Sequence, residues 1–267
     1  MRMQWTGLAA VLAAWVGLHA ADLSVPSAEY RSIGAALSKA RAGDTVWVED
    51  GVYREHVMLN PDVVLKARRL HGAVVDGRGR GTVVTLANGA TIAGLTIRNG
   101  TVGVVSKSAG ARILMCRVVN NDQSGITCVG HLPELTDNVI AFNQGSGIQG
   151  WDLRSTSASV SHNTIAYNGN HGVALGGVSD VIIENCIVAY NAQFGVRAET
   201  GAVQARVVNT DLFRNGTDVT PLSNGNVSVD PAFTDARKHD FTLQPGSRCI
   251  GAGSDGQDLG SRQVAAK

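Results

Sequence analysis

The chain has 267 residues and a formal net charge of +1; it is 44% hydrophobic, only 5% aromatic, and carries 32 glycines. That length supports one large domain with a substantial core, and the near-zero charge removes the electrostatic case for nucleic acid or an anionic membrane surface as partner. Few aromatics with many Gly, Val, Ile and Asn suit short strands joined by tight turns rather than long helices.

In chain order, Met1-Arg2-Met3 gives a basic start and Leu8 to Leu18 an apolar run. Leu18-His19-Ala20 then offers a small residue before Ala21, so residues 1–20 are expected to be a signal peptide cleaved there. The run is too short to span a bilayer. The expected location is therefore secreted or periplasmic, with no membrane partner. Residues 21–42 are expected to form an N-terminal cap, because YRSIGAALSKAR (30–41) has the apolar spacing of a short amphipathic helix. Residues 43–250 carry a repeat, and 251–267 read as a tail.

Asn99, Asn121, Asn143, Asn168, Asn191 and Asn215 set the repeat frame. Four residues after each of the first five comes a glycine (Gly103, Gly125, Gly147, Gly172, Gly195), and then a β-branched residue (Val104, Ile126, Ile148, Val173, Val196). A period in the low twenties means stacked supersecondary units. The leucine-rich pattern L-x-x-L-x-L is absent, whereas DVIIENCIVAYNAQFGVRA (180–198) alternates apolar residues at period two between Asn/Gly turns. The expected fold is all-β: a single-stranded right-handed parallel β-helix of roughly nine to ten coils with a short N-terminal capping helix. The five β-branched residues should form one inward column. Asn and Gly at the turns are expected to supply left-handed backbone.

Five residues before each frame asparagine stand Gly94, Cys116, Asn138, Asn163, Cys186 and Thr210. These should stack coil on coil as an inner ladder, which makes the turn asparagines structural. Cys116 and Cys186 are three coils apart in it, about 14 Å at the usual strand spacing, too far for a disulfide. They are expected to be buried free thiols, and with no C-x-x-C pair among the four cysteines no zinc site is expected. The sequons at Asn99, Asn215 and Asn226 are read as chance matches in an asparagine-rich repeat.

The GDTVWVEDGVYRE opening, the N-x-x-x-G-I/V coils and the DPAF…FTLQPGSRCIGAG…DLG ending resemble secreted right-handed parallel β-helix proteins of the pectin lyase-like superfamily, over about residues 28–260. The resemblance implies polysaccharide as partner, lying along the strand after the N-x-x-x-G turn. The superfamily holds lyases, epimerases, hydrolases and proteins without catalysis, so the fold does not settle the reaction. Outward positions on that strand are Val105, Thr127, Gln149, Ala174 and Arg197. The longest loop, WDLRSTSAS (151–159), carries Trp151, Asp152 and Arg154, and VGHLPEL (129–135) carries His131 and Glu134.

NHGVALGG (170–177) resembles the GHGxSIGS motif of polygalacturonase-type glycoside hydrolases, and GVRAE resembles their GVRIK. That implies a catalytic role for His171 and carboxylate binding by Arg197. Ser146-Gly147 stands where those enzymes would carry an aspartate pair, and hydrolysis needs two carboxylates. Elimination or epimerisation needs less: a cation to neutralise the uronate carboxylate and a base to take the α-proton. His171, Arg197, Arg154 and Asp152 are the candidate catalytic residues; Trp151, Gln149, His131, Glu134 and Lys107 are candidates for substrate binding. Lys107 enters because SKSAGARIL (106–114) resembles the Lys-Ser segment of alginate and chondroitin lyases, although Thr127-Cys128-Val129 of the next coil holds no arginine. No metal or other cofactor is assigned, since the clustered aspartates of calcium-dependent pectate lyases are absent. The expected reading is an acidic-polysaccharide lyase or epimerase, with a non-catalytic carbohydrate-binding protein as the alternative. A monomer is expected.

Overall fold

The computed structural model describes residues 20–154, 158–177, 180–198, 204–217 and 224–262. The proposed signal peptide, apart from Ala20, lies outside these residues, as do positions 155–157 of the expected long loop and 263–267 of the tail.

The chain winds through three parallel sheets. Sheet 1 holds nine strands, from Asp22–Val25 to Gln204–Val208; sheet 2 holds eight, from Gly51–Tyr53 to Asp211–Phe213; sheet 3 holds seven, from Val57–Met58 to Val196–Ala198. Each sheet neighbour comes from the adjacent coil, so after the leading strand Asp22–Val25 the described residues make seven complete coils and an eighth of two strands. The nine to ten coils expected from the period were too many. The closing segment that read as a coil is an antiparallel hairpin instead, Phe233–Asp235 with Asp240–Leu243, lying outside the stack.

The inward column is as expected. Val104 pairs with Ile126, Ile126 with Ile148, Ile148 with Val173 and Val173 with Val196. The first four are fully buried and Val196 nearly so. Each such side chain removed from water contributes about 1.5–3 kcal/mol. The capping helix is shorter than the 30–41 pattern and spans Ile33–Leu37. Ser32 caps it through Oγ, and the Glu55 carboxylate accepts the N–H groups of Ile33 and Gly34. It stops where Asn60 Nδ2 donates to the carbonyls of Leu37 and Ala40, satisfying groups that a further turn would have bonded.

Two buried ladders run up the stack. In the turn between sheets 2 and 3, the Nδ2 groups of Asn121, Asn143, Asn168 and Asn191 donate to the Oδ1 of Asn143, Asn168, Asn191 and Asn215, at 2.9–3.0 Å. The same oxygens accept the backbone N–H of the asparagine below, at 3.1–3.2 Å. In the turn between sheets 1 and 2, Asn138 Nδ2 donates to Asn163 Oδ1, Asn163 N to Cys186 Sγ, Cys186 N to Thr210 Oγ1 and Thr210 N to Asn226 Oδ1. All four cysteines are free and buried. Burial pushes the Cys116 and Cys186 thiols up to about 12, which leaves no reactive thiolate. The sequon asparagines 215 and 226 serve in these ladders, and Asn99 donates to Asp76.

Three expectations about this frame need correction. Asn99 and Gly94 are each one residue off: Thr96 pairs with Arg117 and Ile97 with Val118, so Leu95 and Gly100 hold the ladder positions. The frame glycines are not left-handed either. A Cβ on Gly147 would stand 2.7 Å from the Gly172 carbonyl oxygen and 2.9 Å from Asn168 Nδ2, so glycine is required by the coil above rather than by φ. Nor are the ladder asparagines left-handed. The positive φ belongs to the preceding residue, at Phe142, Tyr167, Tyr190 and Arg214. An L-residue there costs roughly 1–2 kcal/mol. Stacking of Phe142 on Tyr167 at 5.1 Å and Tyr167 on Tyr190 at 4.7 Å offsets part of that cost.

The hairpin covers this aromatic column, with Phe241 6.1 Å from Phe142 and 6.4 Å from Tyr167. The segment after it runs back down the turn between sheets 1 and 2. Ser254 bonds Asn185, Asp255 bonds His162 Nε2 at 3.1 Å, and Arg262 forms a bidentate pair with Asp137.

Removing one rung should show what the asparagine ladder contributes. Asn168→Ala strands the Asn143 N–H and one Asn143 Nδ2 hydrogen. Each buried orphan costs about 1–3 kcal/mol. The urea midpoint of this variant is expected to fall well below that of Asn215→Ala, which sits at the less buried end of the ladder.

Candidate functional site

The outer face of sheet 3 gathers the residues expected to carry chemistry. Val105, Thr127, Gln149, Ala174 and Arg197 lie in one hydrogen-bonded column. The residue before each frame glycine makes a second column, because Gly125 N donates to Ser146 O, Gly147 N to His171 O and Gly172 N to Phe194 O. Ser146, His171 and Phe194 are therefore successive neighbours.

His171 is buried, and Arg197 is exposed beside it, with Nη1 3.2 Å from His171 Nε2. Both lie against Phe194: the imidazole is 5.5 Å from its ring, and the guanidinium carbon is 5.7 Å from the ring centre. The Phe194 backbone N–H donates to His171 Nδ1 at 3.3 Å. A neutral imidazole has only one accepting nitrogen, so the two donors compete. The backbone donor is fixed and partly buried, whereas the arginine is on a flexible, exposed stem that can leave. The tautomer with its lone pair at Nδ1 accepts this backbone donor and carries its proton on Nε2. Two donors, His171 Nε2–H and the Arg197 guanidinium, then face the same space, an arrangement suited to a carboxylate.

Below them, Ser146 Oγ donates to Gln149 Oε1, while Gln149 Nε2 is buried without a hydrogen-bond partner among the described residues. Trp151 projects from the same strand, 46% exposed. Trp151 and Asp152 were expected in a loop and are in the strand Ile148–Leu153. The extra length is taken up by a register shift between Gly150 and Leu153, with Asp152 at φ 48°. Gly177 accommodates the bulge, since a Cβ there would collide with the backbone of Leu153. Arg154 follows, exposed, its N–H bonded to Gly130 O.

His131 and Glu134 were expected on the same groove wall, but they line a separate cavity of about 300 Å³ on the sheet 1 side, with Arg112, Leu132, Ala158 and Ser159. Glu134 starts a sheet 1 strand and pairs with Arg112, so its side chain faces away from sheet 3. Lys107 is exposed just after the sheet 3 strand Val102–Ser106. Asp152 is the sole carboxylate among the described strand residues of sheet 3, so the acid and base pair needed for hydrolysis is not present on those strands. Among the described residues no group of three or more His, Cys, Asp or Glu is placed to hold a metal ion, and no helix is long and apolar enough to cross a membrane. Phe194 was missed by the sequence reading. Its signal was available: it occupies the frame position before Gly195, one coil above His171.

The three parallel sheets define a right-handed β-solenoid. Residues 80–231 match the family described as the right handed beta helix region, and the chain belongs to that family. No curated protein matches the sequence. Among solved structures, the chain is similar to pectate lyase Pel9A, at 12% identity and TM-score 0.57, over 91% of this chain and 96% of that one. It is also similar to the pectin methylesterase of Aspergillus niger, at 12% identity and TM-score 0.41, over 78% and 90%. The carrot pectin methylesterase follows at 11% identity and TM-score 0.39, over 77% and 85%. At these identities the likeness is one of fold.

The tautomer is open to direct measurement. Long-range ¹H–¹⁵N correlation spectra of the imidazoles are expected to show His171 with unprotonated Nδ1 and protonated Nε2. The reverse pattern would return the Nε2 lone pair to Arg197 and free the ring to act as a base.

Proposed function

We propose that this chain is an exported β-helix protein that acts on acidic, uronate-containing polysaccharide along the outer face of sheet 3. The observation that carries this reading is the Arg197 guanidinium beside the His171 imidazole on that face, with the exposed Trp151 two coils below Arg197. Two donors match the two oxygens of a uronate carboxylate. At a strand spacing of about 4.8 Å, Gln149 and Arg197, two rungs apart, span about 10 Å, the length of two sugar units.

Neutralising the carboxylate acidifies the α-proton, the step that β-elimination and epimerisation share. In elimination a base removes that proton, the bond to the leaving glycosidic oxygen breaks, and a carbon–carbon double bond forms within the uronate ring. Pectate lyase Pel9A shares the fold, which supports a pectin-like substrate. A second reading, a carbohydrate-binding protein without turnover, is favoured by one specific contact. In the tautomer that accepts the Phe194 N–H at Nδ1, His171 Nε2 is a donor, which can hold a carboxylate but cannot take a proton.

The purified protein, offered pectate, alginate and glycosaminoglycans, is expected to retain at least one of them in affinity electrophoresis. Growth of the ultraviolet band of an unsaturated uronate marks elimination; retention without that band and without epimerised product marks the binding reading. Arg197→Ala is expected to lower retention or turnover at least tenfold while leaving the thermal midpoint nearly unchanged; His171→Ala should lower it as much and also lower the midpoint, because it removes a buried ring and strands the Phe194 N–H. Full function in both variants would place the site elsewhere.

A further inference from the structure

Asp44 is buried, yet among the described residues no cationic side chain is within ion-pair distance of it. Its carboxylate accepts only backbone donors: Arg41 N–H at Oδ2, 2.8 Å away, and Ala21 N–H at Oδ1, 2.7 Å away. Lys39 and Arg41 line the recess of about 350 Å³ around it, together with Tyr30, Leu23 and Ala20. The Ala21 and Arg41 amides hold the Asp44 carboxyl below the usual carboxylate range, and an ammonium in place of the Ala21 amide would bind the carboxylate more strongly still.

The amide at 2.7 Å belongs to the residue that the expected leader cleavage would expose. Ala20 is exposed, so the Ala20–Ala21 bond lies at the surface. Beyond it the chain is committed to the fold, since Thr45 N donates to Ala21 O and Asp22 pairs with Thr45 at the edge of sheet 1. We infer that the chain is processed between Ala20 and Ala21, and that the new α-ammonium of Ala21 pairs with Asp44 and fastens the first strand of sheet 1 onto the cap. Hydrolysis of that one peptide bond adds water across it, giving the Ala20 carboxylate on the leader and the Ala21 ammonium on the mature chain. A neutral amide donor thus becomes a charged one without moving the nitrogen. Strand Asp22–Val25 is the outermost of sheet 1, so this pair fixes the end of the stack that the helix Ile33–Leu37 covers.

The inference rests on the export reading, and two measurements separate the two. The full chain, expressed from its own Met1 in a secreting bacterial host, is expected to leave the cytoplasm with Ala21 as its first residue by intact mass and N-terminal sequencing. A chain retained unprocessed would sink the export reading and this one with it, whereas an exported chain beginning at Asp22 or another residue would sink this inference alone. In the second measurement, protein released in vitro with Ala21 as a free N-terminus is compared with protein carrying Gly-Ser ahead of Ala21, each with and without Asp44→Asn. The free-amine form should unfold several degrees higher than the extended form, and Asp44→Asn should erase that difference. Equal midpoints for the two forms, or an Asp44→Asn loss of the same size in both, would overturn the ion pair.

Discussion

An amide buried in a turn must find its partners at the height of the next strand, and in this molecule it finds them in another amide. Each ladder asparagine accepts through Oδ1 from the coil below and donates through Nδ2 to the coil above and to a backbone carbonyl. The rung height is thereby tied to the strand spacing of about 4.8 Å. The rest of the architecture follows from holding that height. The frame glycine is needed because the asparagine amide of the coil above fills the space of a Cβ. The residue before the asparagine is forced to positive φ, and aromatic stacking is what makes that conformation tolerable there.

The same constraint divides the coil into fixed and free parts. Cys116 and Asn121, Asn138 and Asn143, Asn163 and Asn168, Cys186 and Asn191, and Thr210 and Asn215 are all five residues apart. From the ladder asparagine to its glycine the distance is always four from Asn121 to Asn191. Variation in coil length therefore falls between the glycine and the next rung, across sheet 3 and the turn into sheet 1. The strand with Trp151, the bulge at Asp152 and the Arg197 strand all sit in that free part. Outward side chains there support no ladder, so Arg197 and Gln149 can be set by ligand chemistry without disturbing the stack.

Burial keeps the cysteines inert. Cys116 and Cys186 sit within the ladder between sheets 1 and 2, where desolvation keeps them as thiols and Cys186 Sγ accepts the Asn163 N–H. A thiol so protonated neither attacks nor oxidises readily. The stack is closed by covering surfaces rather than by disulfides. The helix Ile33–Leu37 shields one mouth, the hairpin shields the aromatic column, and Arg262 on Asp137 pins the returning segment.

The sequence by itself determined the repeat, the class of fold and the inward column. All three depend on periodicity, and a period-two apolar pattern inside a fixed N-x-x-x-G frame admits few other structures. It also placed His171 and Arg197 on successive coils on either side of the frame glycine, His171 one residue before Gly172 and Arg197 two residues after Gly195. It could not show that the first coil of the asparagine frame, the third of the stack, is one residue shorter between Ile97 and Val104 than between Val118 and Ile126, since a single-residue slip leaves both Asn99 and Gly103 in frame. It could not tell the strand Ile148–Leu153 from a loop, because a bulge depends on the neighbouring strand and on Gly177. Only the tertiary structure decided that Glu134 faces a different surface from His171, and that Phe194 directs its N–H at His171 Nδ1. The first turns on the third turn of the coil, which the asparagine ladders leave unfixed, and the second on a side-chain rotamer within the turn they fix.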